Sequence, residues 1–110
     1  MHAGRVARRD AVFRALSDPT RRAILDRLRR KDHGVGALCE PFEMSQPAIS
    51  QHLRVLADAG LVKAKRCGRE QIYQLRPQPL RDAFDWLEHF EGFWTDKLDS
   101  LGVLLDSEDE

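Results

Sequence analysis

Between Ser45 and Ala57 the chain reads SQPAISQHLRVLA, a stretch rich in hydroxyl, amide, guanidinium and imidazole groups and without a carboxylate until Asp58. At about 100° per residue, Ile49, Leu53 and Leu56 share one apolar arc, whereas Pro47, Ser50, Gln51 and Arg54 lie on the opposite face. Such groups suit one kind of chemistry. In a major groove, Arg donates two hydrogen bonds to guanine and Gln pairs with the edge of adenine. Surface helices without such a task usually mix in acids, so Gln46, Pro47, Ser50, Gln51 and Arg54 form the candidate base-reading set. Ser45 stands where a side-chain oxygen can accept the unpaired N–H groups of the first turn, and Pro47 is tolerated there. His52 borders the apolar arc, a place that suits either a packed, hydrogen-bonded histidine or a contact to a phosphate.

The flanking sequence predicts the elements that must hold this helix. A first helix over about residues 11–16, with Val12, Phe13 and Leu16 apolar, stops at Ser17-Asp18-Pro19. There Ser17 or Asp18 caps a second helix that Pro19 opens. Ala23, Ile24, Leu25 and Leu28 give that helix a stripe of period 3.6, and Arg21, Arg22, Arg27, Arg29 and Arg30 cover much of the rest. Lys31 to Gly34 read as a polar turn, Val35 to Pro41 as a short third helix, and Phe42 to Met44 as a tight connection. The polar-faced helix then runs from Gln46 to about Ala59, with Gly60 as its left-handed stop.

After Gly60 the period changes to 2. Leu61 to Arg66 and Gln71 to Leu75 read as strands joined by Cys67-Gly68-Arg69-Glu70, a hairpin with a basic tip. Lys63, Lys65, Arg66 and Arg69 on this ribbon are expected to meet a nucleic-acid backbone together with Ser45 and His52. A long helix over 79–105 carries Leu80, Phe84, Leu87, Trp94, Leu98, Leu101 and Leu105 at spacings of three, four or seven. Its stripe breaks at Glu91, and Gly92 costs about 1 kcal/mol relative to Ala, which allows a bend or interruption there. The expected class is mainly α with a small β-hairpin, a winged helix-turn-helix in the order helix-helix-helix-helix-strand-strand-helix. One domain over 10–105 is expected, preceded by a flexible basic arm, 1–9, and followed by an acidic tail, 106–110, that frays.

Formal net charge is zero, yet residues 1–76 carry 16 Lys and Arg against 8 Asp and Glu, while residues 77–110 carry 2 against 10. A basic body with an acidic end is the footprint expected of a protein that meets a polyanion. No apolar run approaches the roughly 18–20 residues that span a bilayer, and no signal-type apolar segment follows the basic start, so a cytoplasmic protein without membrane insertion is expected. Cys39 and Cys67 belong to no CxxC or Cys/His cluster, so they are expected to be two reduced thiols, with no metal and no cofactor. Phosphate-binding loop, GxSxG and HExxH patterns are all missing, which speaks against an enzyme.

Three blocks resemble the ArsR-type winged-helix repressors: ALSDPTRRAIL at 15–25, MSQPAISQHL at 44–53 and LADAGLV at 56–62. The likeness spans about residues 10–105. It implies a homodimer built from the first and last helices, reading an inverted-repeat operator in double-stranded DNA through two successive major grooves. Val12, Phe13, Leu80, Phe84, Leu87, Trp94, Leu98 and Leu101 are the implied interface residues. Trp86 and Trp94 agree with it, because one small domain cannot cover so large a stripe. Many members of that family release DNA when a metal or arsenical binds a Cys-x-Cys pair in the third helix or an Asp/His set in the last. Here the first pair falls near Gly34 and Gly36. Asp82, Asp85, Glu88 and His89 lack the paired aspartate-histidine spacing of the second, and Asp85 and Glu88, at i and i+3, read more naturally as part of a solvated acidic face. The resemblance is therefore to the metal-independent autorepressor branch, in which an unidentified inducer or protein partner takes the metal's place. A module that docks a protein through the same winged helix is the alternative reading.

Overall fold

The computed structural model describes the backbone of residues 2–108 and the side chains of residues 4–101. Leu105 and the acidic end, 106–110, therefore fall outside the residues whose side chains are described. The chain runs α1 (His2–Leu16), α2 (Pro19–Arg30), β1 (His33–Gly34), α3 (Val35–Cys39), α4 (Gln46–Asp58), β2 (Val62–Cys67), β3 (Glu70–Leu75), α5 (Gln78–Glu88) and α6 (Glu91–Glu108). It contains the winged helix-turn-helix order that the sequence predicts, with a short strand added after α2 and the last helix divided in two. Each of the first five helices sends apolar residues inward, although α5 buries only Ala83 fully. Val12, Ala15, Ile24, Leu25, Leu28, Leu38, Ile49, Leu53, Leu56, Leu61, Val62 and Ala83 make one buried cluster.

Turn chemistry fixes where these elements end. Asp18, rather than Ser17, caps α2: its carboxylate accepts the Arg21 N–H at 3.0 Å, and Pro19 fills the first helical position. At the end of α4, Gly60 adopts φ +77°, its N–H donates to the Ala57 carbonyl, and the Leu61 N–H donates to the Leu56 carbonyl, both at 2.9 Å. This pair of bonds is a Schellman motif, and Leu56 and Leu61 supply its apolar contact. Gly68, with φ +65°, and Arg69 close the β2–β3 hairpin as a two-residue turn, so Cys67 and Glu70 pair as its last rung.

Four expectations change. α1 begins at His2, so residues 2–9 are helical where a flexible arm was expected. The segment contains no proline, Ala and Arg favour a helix, and α5 gives it a surface to lie on, with Arg8 4.0 Å from Asp82 and the Arg9 guanidinium 5.7 Å from the Trp86 ring centre. The expected polar turn at Lys31–Gly34 contains a short strand, since His33 and Gly34 pair antiparallel with Tyr73 and Ile72 to give a sheet ordered β1-β3-β2. The third helix ends at Cys39 rather than Pro41. The long terminal helix is two helices, and the interruption lies at His89–Phe90, ahead of Glu91 and Gly92. There the N–H groups of His89 and Phe90 bond three residues back, to Trp86 and Leu87, which tightens and ends α5.

Candidate nucleic-acid interface

The short helix α3 and the turn after it deliver α4. Leu38 of α3 is fully buried in the cluster that contains Ile49, and the Phe42 N–H closes the turn on the Cys39 carbonyl at 3.0 Å. The Ser45 hydroxyl then accepts the Ala48 N–H at 3.3 Å, the cap that the sequence predicts. With Ile49, Leu53 and Leu56 buried, Gln46, Pro47, Ser50, Gln51 and Arg54 are all exposed. The candidate base-reading residues therefore share one outward face on a helix whose opposite face is locked in the core. None of the ion pairs among the described residues uses Arg54, so its five donors stay available. Val55, which the sequence reading passed over, is also exposed.

His52 occupies the border that its helical position predicts. Its ring is half-buried, and Nδ1 lies 3.3 Å from Nη1 of Arg21 and 3.8 Å from the Asp18 carboxylate. The Arg21 N–H holds the Asp18 carboxyl below its ordinary 3.8; partial desolvation works against this, and the charges of His52 and Arg21 add to the lowering. A carboxyl whose pKa is lowered by folding contributes stability above its unfolded value and loses it as pH falls through the folded one. Urea unfolding should therefore show wild-type stability falling below about pH 3.8 with a part that Asp18→Asn lacks; equal acid dependence in the two proteins would refute this role for Asp18.

On the hairpin, Lys63, Lys65, Arg66 and Arg69 are all exposed. They do not share a face. Strand alternation sets Lys63 and Lys65 on one side of the ribbon and Arg66 on the other, with Arg69 in the turn. The Gln74 side-chain amide donates to Asp32 at 2.8 Å, which ties the ribbon to the segment after α2.

Known proteins with this arrangement are transcriptional regulators. The family described as "Bacterial regulatory protein, arsR family" matches residues 18–64. HTH-type transcriptional regulator Rv2034 of Mycobacterium tuberculosis (strain ATCC 25618 / H37Rv) is 41% identical over 99 residues, 90% of each chain. Transcriptional repressor SdpR of Bacillus subtilis (strain 168) is 42% identical over 79 residues, 72% of this chain and 88% of that one. The crystal structure of ArsR family transcriptional regulator RHA00566 superposes with a TM-score of 0.74 at 32% identity, covering 81% of this chain and 92% of that one. The chain belongs to the ArsR family. It is a DNA-binding transcriptional regulator of that family and not an enzyme.

Within this ArsR-family fold, one expected interface residue is misplaced. Val12 is fully buried in the protomer's own core and has no surface to offer a second chain. The helix α1 is covered on that side because its inner face belongs to the core cluster. Phe13 and Leu80 are half-buried against the same cluster, with the Phe13 ring 5.6 Å from Trp86 in an edge-on contact. Phe84, Leu87, Trp94, Leu98 and Leu101 are exposed, as are Val6, Trp86, Phe90 and Phe93. The last two were missed because Phe90 sits in the interruption and Phe93 lies beside the assumed stripe. A radius of gyration of 18.3 Å, against about 13 Å for a compact chain of 100 residues, fits helices that extend away from their own core.

Where metal-sensing relatives were expected to carry thiolates, the Glu70 carboxylate lies over Gly34 in the space a Cβ would need. Cys39 is half-buried and Cys67 exposed, and both are free. Among the described residues, no three His, Cys, Asp or Glu side chains are grouped to hold a metal ion. No helix is long and apolar enough to cross a membrane, again among the described residues.

Proposed function

We propose that this ArsR-family regulator is a cytoplasmic repressor that binds an inverted-repeat operator as a homodimer and belongs to a branch that does not sense metals. The observation that carries the reading is the outward face of α4: Gln46, Pro47, Ser50, Gln51 and Arg54 stand exposed without an acid among them, while Ile49, Leu53 and Leu56 hold the helix from behind. In this reading those five side chains meet base edges. Ser45, His52, Lys63, Lys65, Arg66 and Arg69 meet phosphates, which add affinity and salt dependence but little sequence information. Phe13, Leu80, Phe84, Leu87, Trp94, Leu98 and Leu101 face the partner protomer. The exposed aromatic and aliphatic surface of α5 and α6 supports this, because an apolar area of that kind on a small domain marks an interface. SdpR is named a repressor, which supports the same role here. What removes the protein from DNA is an inducer or a protein partner.

The wing assignment has its own test. Arg69→Ala should weaken binding to specific and unrelated DNA alike and reduce the slope of log affinity against log salt by about one. Mobility shifts across a salt series measure it. An unchanged slope would remove Arg69 from the interface.

A further inference from the structure

We propose that Arg21 is a positioning residue that couples α1 to α4 and thereby sets the spacing of operator half-sites the dimer accepts. Nothing in the base-reading or backbone-contacting set includes it. Its guanidinium nevertheless links α2, which carries it, to both α1 and α4. Nε donates to the Ala15 carbonyl at 2.7 Å, and Nη2 donates at 3.0 Å to the Arg14 carbonyl, which also accepts from the Ser17 N–H and hydroxyl, so the guanidinium is anchored on the backbone at the end of α1. Nη1 reaches Nδ1 of His52 in α4 at 3.3 Å. The backbone N–H of Arg21 is meanwhile held by Asp18, the cap of α2.

The chemistry of the pair fixes its geometry. A guanidinium only donates, so a hydrogen bond from Arg21 requires a lone pair on His52 Nδ1, which is the tautomer with the proton on Nε2. Asp18 lies too far from Nδ1, at 3.8 Å, to take the place of Arg21 as its hydrogen-bond partner. With two donors anchored on the α1 backbone, the third has one direction, and the His52 ring and the helix that bears it are held to that direction. Arg is suited to this task because its donors form a rigid fork; a Lys ammonium is a single point and cannot bridge all three acceptors.

The consequence rests on the reading that α1 contributes to the dimer and α4 enters the groove. In such a dimer the distance and angle between two recognition helices decide which half-site separation fits. Those quantities pass from one α4 to its own α1, across the interface, and out again. A loose α4–α1 joint leaves each helix able to bind DNA but no longer fixes the separation.

The test uses the full-length protein and its operator, with a second operator whose half-sites are moved one base pair apart. Wild type should prefer the native spacing. Arg21→Lys and His52→Ala should each cut that preference at least about fivefold; Arg21→Lys should do so while affinity for unrelated DNA and thermal stability change little, whereas His52→Ala also gives up the phosphate contact proposed for that ring. His52→Asn, whose amide oxygen can accept from Arg21 near the position of Nδ1, should restore the preference. Imidazole nitrogen NMR should show the wild-type ring protonated on Nε2. Unchanged spacing preference in Arg21→Lys and His52→Ala, or a ring protonated on Nδ1, would overturn the proposal even if wild type binds as a dimer. If wild type shows no dimeric binding to an inverted repeat, it is the underlying reading that fails.

Discussion

Leu53→Ala lowers the free energy of unfolding by about 2–5 kcal/mol and takes specific DNA binding with it, the largest effect expected of any single truncation on α4. Leu53 is 1% exposed and sits between Ile49 and Leu56 on the face that locks the helix to α1, α2 and α3. Removing its branched end deletes buried apolar surface and leaves a cavity, because the surrounding helices are tied by caps and cannot collapse freely. A loss of this size is a large part of the stability of a small domain, so the fraction folded at 37 °C should fall visibly. Ser50→Ala, on the exposed face of the same helix, should stay within about 0.5 kcal/mol of wild type in stability. Chemical denaturation of both variants at matched protein concentration decides the matter, since association shifts apparent stability. A Leu53→Ala protein as stable as Ser50→Ala would contradict the placement of α4.

Arg54→Ala is the complementary case, expected to leave folding intact and cost about 1–3 kcal/mol in binding to the operator. Arg54 is exposed, joins none of the ion pairs among the described residues, and lies on the same outward face as Ser50 and Gln51. If its fork reads one guanine, the loss should concentrate at one base-pair position in each half-site, and discrimination there should relax. Competition binding against operators substituted base by base measures this. Arg69→Ala supplies the contrast, since a phosphate contact weakens all sequences alike. If the two variants weakened every sequence equally, the division into reading and positioning residues would be wrong.

How far the sequence could be read follows from the range of the forces involved. The face of α4 was legible because Ile49, Leu53 and Leu56 repeat within one helix, and its ends because Ser45 and Gly60 act on neighbouring backbone groups. The hairpin was legible for the same reason, since Gly68 closes it locally. β1 was not, because a two-residue strand exists only through its pairing with Tyr73 and Ile72, nearly forty positions away. Nor was the start of α1, where weak helix preference becomes a formed helix only against α5. An exposed ion pair such as Arg8 with Asp82 contributes little by itself, so the docking of α1 owes more to Val12, Phe13 and the Trp86 ring. Val12 shows the same limit from the other side. A stripe marks a residue as apolar, but whether its cover comes from the same chain or a second one depends on tertiary placement. The exposure of the polar face of α4 was legible ahead of its surroundings, for exposed polar side chains on a capped helix need only that helix to be correct. The role of Arg21 was invisible, because in sequence it is one of five arginines in α2 and only the fold brings it to His52.

The central claim is that α4 and the wing bind operator DNA in two symmetric copies. Footprinting and mobility shift on the DNA upstream of the protein's own gene test it most directly. The expected result is a protected inverted repeat that holds two protomers, with affinity falling steeply as salt rises. No protected repeat, together with binding insensitive to salt, would contradict it.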